Sequence, residues 1–347
     1  MDVFQQHAPL TSHDLFWNLP NDSNIFIIGD SVQHQIFDGF VCDVIRQNQH
    51  GFIPDDEPPI QYHREESAVS MMSQWVPNWK NLSDPAPRWR YGAPTERVTL
   101  HSTKNGKVQV ANLVLIRSYR PLLELYNDTF CEWANVILFN WDLHYGSPTD
   151  TAWDSEIGSG IFPILQQCFD RYSSLKKKPI FIWNEVTAQH FGGTIGGFWE
   201  NIYAQNTTVT EQYRQHIARE QHDSDLLTDD LKWNAFFDSL SRHQRGAECG
   251  PHHYFKNESY ERHIRRQRIM EAVNENPDLK FILEIVYPDR EIEREREDTL
   301  YFIPFKDATD PLWGLHKNGD CTHWCNTPYL WELLWDSMSR IVEKNHV

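Results

Sequence analysis

Two short stretches near opposite ends of the chain carry residue types suited to covalent chemistry. Gly29-Asp30-Ser31 follows the apolar run Asn24-Ile-Phe-Ile-Ile-Gly29 and precedes a helical pattern. A serine at such a strand-to-helix join stands at the carboxyl end of a sheet, where open α/β folds bind their ligands. Its backbone N–H lies near a helix N-terminus, where partial positive charge favours a developing oxyanion. The plainer role for the same serine is a helix N-cap. At the other end, Asp320-Cys321-Thr322-His323 sets a carboxylate three residues ahead of an imidazole. On a single turn that spacing puts Asp320 and His323 on one side, so the carboxylate can orient the ring and stabilise imidazolium. The other ring nitrogen then faces a nucleophile. Ser31, His323 and Asp320 thus make a Ser–His–Asp set, although each motif alone also fits an ordinary cap or a solvated pair.

Other candidates are looser. His144 and His190 follow expected strands, at the ends where ligands bind, and are assigned to substrate contact. His34, three residues past Ser31, fits either the site or a surface helix face. Trp183, Trp199 and Trp324 suit a sugar-stacking platform or a core. Cys249-Gly-Pro-His252-His253 and Cys321-Thr-His323-Trp-Cys325 contain enough ligands for tetrahedral zinc. Neither spacing matches a common zinc module, so no metal and no other cofactor is expected.

The elements that must position these residues follow from periodicity. Residues 24–29 read as a buried strand, and Ile36, Phe37, Phe40, Val41, Val44 and Ile45 recur at helical steps directly after Ser31. Further strands are expected at 108–116, 135–140, 179–183, 281–286 and 300–304. Helices are expected at about 154–175, 210–219, 229–241, 260–274 and 328–342. Residues 51–97, rich in Pro and Trp, read as an irregular loop-rich insertion. The charge run at 289–298 alternates in sign and reads as a solvated face. Alternating strands and helices predict an α/β fold with a mostly parallel sheet covered on both sides.

Composition sets outer bounds. The chain has 347 residues, 32 basic and 49 acidic side chains, and a formal charge of −17. Such acidity excludes a nucleic-acid partner, which calls for clustered Lys and Arg. No apolar run approaches the ~20 residues needed to span a bilayer, and Met1–Leu10 shows no signal peptide. The 14 Trp, 13 Tyr and 19 Phe exceed ordinary usage and serve either core or glycan contact. Six cysteines, at 42, 131, 168, 249, 321 and 325, allow 15 pairings that spacing cannot separate. Asn21, Asn81, Asn127, Asn206 and Asn257 each begin an Asn-x-Ser/Thr sequon, which with the cysteines fits an oxidising secretory route. A cytoplasmic location is the alternative; the secretory one implies an incomplete N-terminus, an upstream domain or an unconventional arrangement.

Ile28-Gly-Asp-Ser31, and Gly319-Asp-Cys-Thr-His-Trp-Cys325 followed by Trp331-Glu-Leu-Leu334, resemble the two end motifs of the PC-esterase group of SGNH/GDSL hydrolases. The nearest likeness is to the plant trichome birefringence-like polysaccharide O-acetyltransferases and their algal relatives. Val136-Ile-Leu-Phe-Asn-Trp-Asp-Leu-His144 and Trp183-Asn-Glu-Val-Thr-Ala-Gln-His-Phe191 are similar to the group's middle strands, in the same order. The likeness spans about residues 24–335, and Asp-Cys-x-His-Trp-Cys is its most specific part. It implies a three-layer α/β/α SGNH fold and an acyl-serine mechanism. Ser31 would be the nucleophile, His323 the base and Asp320 its partner, with the Ser31 N–H and Asn140 holding the oxyanion. Gly92 is a candidate for a further N–H. The resemblance also implies bridges from Cys321 and Cys325 to distant partners, Cys249–Cys321 first. Two features depart from the plant enzymes: their long N-terminal cysteine-bearing region and anchor have no counterpart, and Asn184-Glu185 stands where they carry Arg.

The expectation is therefore one catalytic domain over 1–347, because the serine near the start and the Asp-x-x-His near the end must meet in one sheet. It would transfer an acyl group, acetyl first, from a small donor to a carbohydrate hydroxyl or to water, with His144, His190 and Trp324 near the substrate. A lipid esterase and a silent glycan-binding module are the alternatives.

Overall fold

The computed structural model describes residues 11–50, 58–65, 96–117, 128–141, 153–172, 178–185, 221–239, 259–287, 298–305, 320–324 and 328–346, with a few isolated positions between them. Among these residues, eight strands form one sheet: β1 (Ser23–Gly29), β2 (Gln61–Glu65), β3 (Glu96–Lys104), β4 (Lys107–Arg117), β5 (Val136–Asn140), β6 (Ile180–Asn184), β7 (Ile282–Ile285) and β8 (Thr299–Ile303). They run in the order β2-β3-β4-β1-β5-β6-β8-β7. The six strands from β4 across to β7 are parallel; β2 and β3 are antiparallel additions on one edge. A mixed α/β fold with a mostly parallel sheet is what the periodicity predicts.

Helices cover both faces. They are α1 (Ser12–Asn18), α2 (Ser31–His50), α3 (Asp128–Trp133), α4 (Phe162–Tyr172), α5 (Asp225–Thr228), α6 (Asp230–Ser239), α7 (Ser259–Glu275) and α8 (Pro328–His346), with a π-helical stretch Asp154–Ile161 leading into α4. Strand side chains alternate between two apolar cores. On one face Ile25, Ile27, Leu113, Val136, Leu138 and Ile182 pack with α1, α2 and α8 residues such as Phe16, Phe37, Phe40, Leu334 and Trp335. On the other, Phe26, Ile28, Ile137, Phe139, Phe181 and Trp183 meet Ile157, Phe162, Phe169 and Ile269. Burial on both faces explains why these strands read as continuous apolar runs. None of the described helices is long and apolar enough to cross a membrane.

Three local features differ from the sequence expectation. The stretch 51–97, expected to be irregular, contributes β2 and the start of β3, an exposed polar edge (Gln61, Tyr62, His63 and Arg64) with no apolar alternation to announce it. The hairpin β3–β4 turns on Asn105-Gly106, both with positive φ (53° and 76°), a favoured two-residue connection. Asp320–Trp324, expected as a turn, is an extended strand, β10, paired antiparallel with β9 (His316–Lys317) through an irregular register. Of the cysteines, Cys131 on α3 and Cys168 on α4 form a disulfide. The expected Cys249–Cys321 pairing and most of the 210–219 helix lie outside the described residues.

Two anchors fix α2, whose first residue is Ser31. The buried Asp43 carboxylate accepts from Ser12 Oγ at 2.5 Å, Gln47 Nε2 at 2.9 Å and Arg46 at 2.8 Å, tying α1 to α2. Arg46 also reaches Glu332 of α8 at 3.4 Å. Burial, then the nearby Asp43 charge, push the Glu332 carboxyl above its ordinary 4.5 despite Arg46. The second anchor is Gly29. Its φ is +148°, and a Cβ there would stand 2.1 Å from the backbone oxygen of Asn140.

Both anchors are testable by denaturation. Gly29→Ala forces side chain against rigid backbone and is expected to cost at least ~3 kcal/mol, read as a lower urea midpoint or as failure to fold. For Glu332, a raised native pKa gives stability that is full below the ordinary value and declines as pH rises through the native one. Glu332→Gln is therefore expected to match the wild type near pH 4.5 and to gain on it as pH rises to 7.

Candidate active site

The carboxyl ends of β1, β4 and β5 finish level with one another: Gly29 pairs with Arg117 on one side and with Asn140 on the other. From β1 the chain goes to β4 on one side, then returns to β5 on the other. Such a reversal opens a crevice beyond the strand ends, where ligands of open α/β sheets bind. Ser31 sits there, half-buried, as the first residue of α2.

Asp30, not Ser31, caps this helix. Its Oδ1 accepts the Val32 N–H at 2.8 Å, and its carbonyl accepts the His34 N–H at 3.1 Å, the first intrahelical bond. The plain role available to Ser31 from sequence is thus filled by its buried neighbour.

Across from Gly29, Asn140 ends β5 with its side chain buried. Its Nδ2 donates to the backbone oxygen of Asn184, the last residue of β6. An amide group is planar, so this bond fixes the orientation of the whole Asn140 amide. Asn184 Oδ1 in turn accepts from Gln33 Nε2 at 2.5 Å. Next along the chain, buried Glu185 accepts from Arg266 Nη2 of α7 at 2.9 Å, and its N–H donates to Ile303 O at 2.9 Å. A row of buried polar groups therefore crosses the sheet at its carboxyl edge, on strands whose interiors are wholly apolar. Gln33, Asn184 and the Glu185–Arg266 pair were invisible as site residues in the sequence, since isolated amides and charges carry no period; the Asn184-Glu185 departure was the one available signal.

β10, the strand bearing Asp320 and His323, lies against α2. The two end motifs therefore meet as elements. The register between Asp320 and Trp324 is irregular. The side chains of Asp320, His323 and Trp324 lie outside the described residues, as do His144, His190, Gly92 and Trp199. Trp183 is fully buried against Phe139, Trp141 and Phe162, so it is core and not part of a sugar platform.

His34, on α2, meets Glu96 at the start of β3. Its Nε2 lies 3.4 Å from both Asp38 and Glu96, three groups close enough to share a cation. Arg64 already pairs with both carboxylates, at 3.1 Å to Asp38 and closer to Glu96. Desolvation would lower the Arg64 guanidinium, but the hydrogen bonds and charges of Glu96 and Asp38 outweigh it and hold it above its usual range. The cluster is an ion-pair seam joining α2 to the β2–β3 edge. Comparison with protein-family models, curated proteins and solved structures gives no match to this chain.

Proposed function

We propose that this chain is a serine-dependent acyltransferase or esterase of SGNH type, moving an acetyl group from a small ester donor to a carbohydrate hydroxyl or to water. The seat of Ser31 carries the reading: it opens α2 beyond the central strand, one residue after the Asp30 cap, with the Asn140 amide on the neighbouring strand end. The strand order around β1 and β5 and the helices on both faces support the three-layer fold that such enzymes use. The approach of β10 to α2 supports the pairing of Ser31 with the Asp-x-x-His segment.

In this mechanism His323 takes the Ser31 hydroxyl proton as Oγ bonds to the donor carbonyl carbon. The resulting oxyanion accepts from the Ser31 N–H, favoured by the N-terminus of α2, and from the Asn140 amide. Collapse breaks the bond to the donor alkoxy group, which leaves with the proton from His323. The acceptor hydroxyl, or water, then gives its proton to His323 and attacks the acyl-serine. Ser31 leaves and recovers that proton, while Asp320 stabilises the imidazolium in both halves. The Cys131–Cys168 bridge favours an oxidising compartment, hence the Golgi lumen or the cell exterior.

Ser31→Ala and His323→Ala are each expected to abolish fluorophosphonate labelling and to lower p-nitrophenyl acetate turnover by about 10³-fold or more. Turnover retained in Ser31→Ala rejects the reading. Asn140→Ala is expected to keep labelling detectable while lowering kcat by about 10²-fold, the usual effect of losing one oxyanion donor; an unchanged kcat removes Asn140 from the oxyanion site.

A further inference from the structure

Gln33 is two residues past Ser31, on the first turn of α2, and its side chain folds back over the end of the sheet. Gly29 makes room for it: a Cβ at position 29 would stand 2.6 Å from Gln33 Cγ. From there Nε2 reaches Asn184 Oδ1 at 2.5 Å, and the Asn184 carbonyl holds the Asn140 amide. Exposure is 0% for Gln33, 1% for Asn184 and 3% for Asn140. Burying three amides is costly unless each is bonded, yet Gln33 Oε1 and Asn184 Nδ2 have no partner among the described residues. Apolar side chains of similar volume would fill this space at lower cost, so stability alone does not account for them.

We propose that Gln33 and Asn184 are positioning residues that set the Asn140 amide relative to Ser31, an inference that rests on the acyl-transfer reading. The three amides form a chain with the nucleophile's helix at one end and the oxyanion donor at the other. Gln33 fixes the Asn184 side chain, the Asn184 carbonyl fixes the Asn140 amide plane, and both ends sit on rigid elements. Neither Gln33 nor Asn184 touches the substrate; each acts through Asn140.

A double-mutant cycle on p-nitrophenyl acetate turnover tests this. Gln33→Met keeps chain length and the contact over Gly29 but removes the donor. It is expected to lower kcat about 10- to 100-fold with KM within about 3-fold and the melting temperature little changed. In an Asn140→Ala background the same substitution is expected to change kcat by less than about 2-fold. Asn184→Asp retains an acceptor for Gln33 and the backbone carbonyl for Asn140, and is expected to keep kcat within about 5-fold, whereas Asn184→Ala behaves like Gln33→Met. If Gln33→Met does not fold, the same cycle is run with Asn184→Ala. Equal effects in both backgrounds, or an unchanged kcat, overturn the proposal while a dead Ser31→Ala leaves the acyl-transfer reading standing. Undiminished turnover in Ser31→Ala overturns both.

Discussion

The backbone at Gly29 runs so close to the Asn140 carbonyl that a Cβ at position 29 would come within 2.1 Å of its oxygen. That approach is made by the last residues of two adjacent parallel strands, both packed into apolar cores on each face. The rest of the carboxyl edge follows from it. Only glycine takes the φ of +148° needed to leave β1 there, so the chain turns within one residue and α2 starts at Ser31. The same missing side chain leaves the space through which Gln33 reaches across to Asn184. One constraint thus sets the turn, the helix start and the polar row.

The division of labour between interior and edge follows the physics of burial. Ile25, Phe26, Ile27 and Ile28 of β1 feed two separate cores, and their partners on β4, β5 and β6 do the same. Such strands are held by many small contacts and place their ends with little freedom. The edge carries the opposite chemistry: Asp30, Gln33, Asn140, Asn184, Glu185 and Arg266 are all buried and polar. Breaking one partner of a buried ion pair such as Glu185–Arg266 costs about 3–5 kcal/mol, whereas an apolar pair of similar volume would hold α7 as well. Such a row is expensive to assemble, and packing alone does not call for it.

How much of this was legible depended on whether a residue belonged to a pattern. β1, β5, β6, β8 and the amphipathic faces of α2 and α8 follow from apolar periodicity, because the same residues that make the period fill the cores. The place of Ser31 at a strand-to-helix join was legible from the change of period, whereas Asn140 was singled out only by the family resemblance. The edge strand β2 was not legible, since an exposed edge buries too little to impose alternation, although Asn105-Gly106 does signal the β3–β4 hairpin. Cys131–Cys168 was one of many pairings until α3 and α4 came together. The turn expected at Asp320–His323 became a strand because its residues pair with β9, a tertiary contact that local spacing does not encode.

Asp30 shows why the triplet at the end of β1 has this composition. A helix leaves its first N–H groups without intrahelical partners, and a serine at the boundary would ordinarily spend its hydroxyl on one of them. Here the Asp30 side chain takes the Val32 N–H at the N-terminus of α2. The cap is thus supplied one residue before the serine. Glycine supplies the close approach and aspartate the cap, two roles fixed in that order by the geometry of a strand ending against its neighbour.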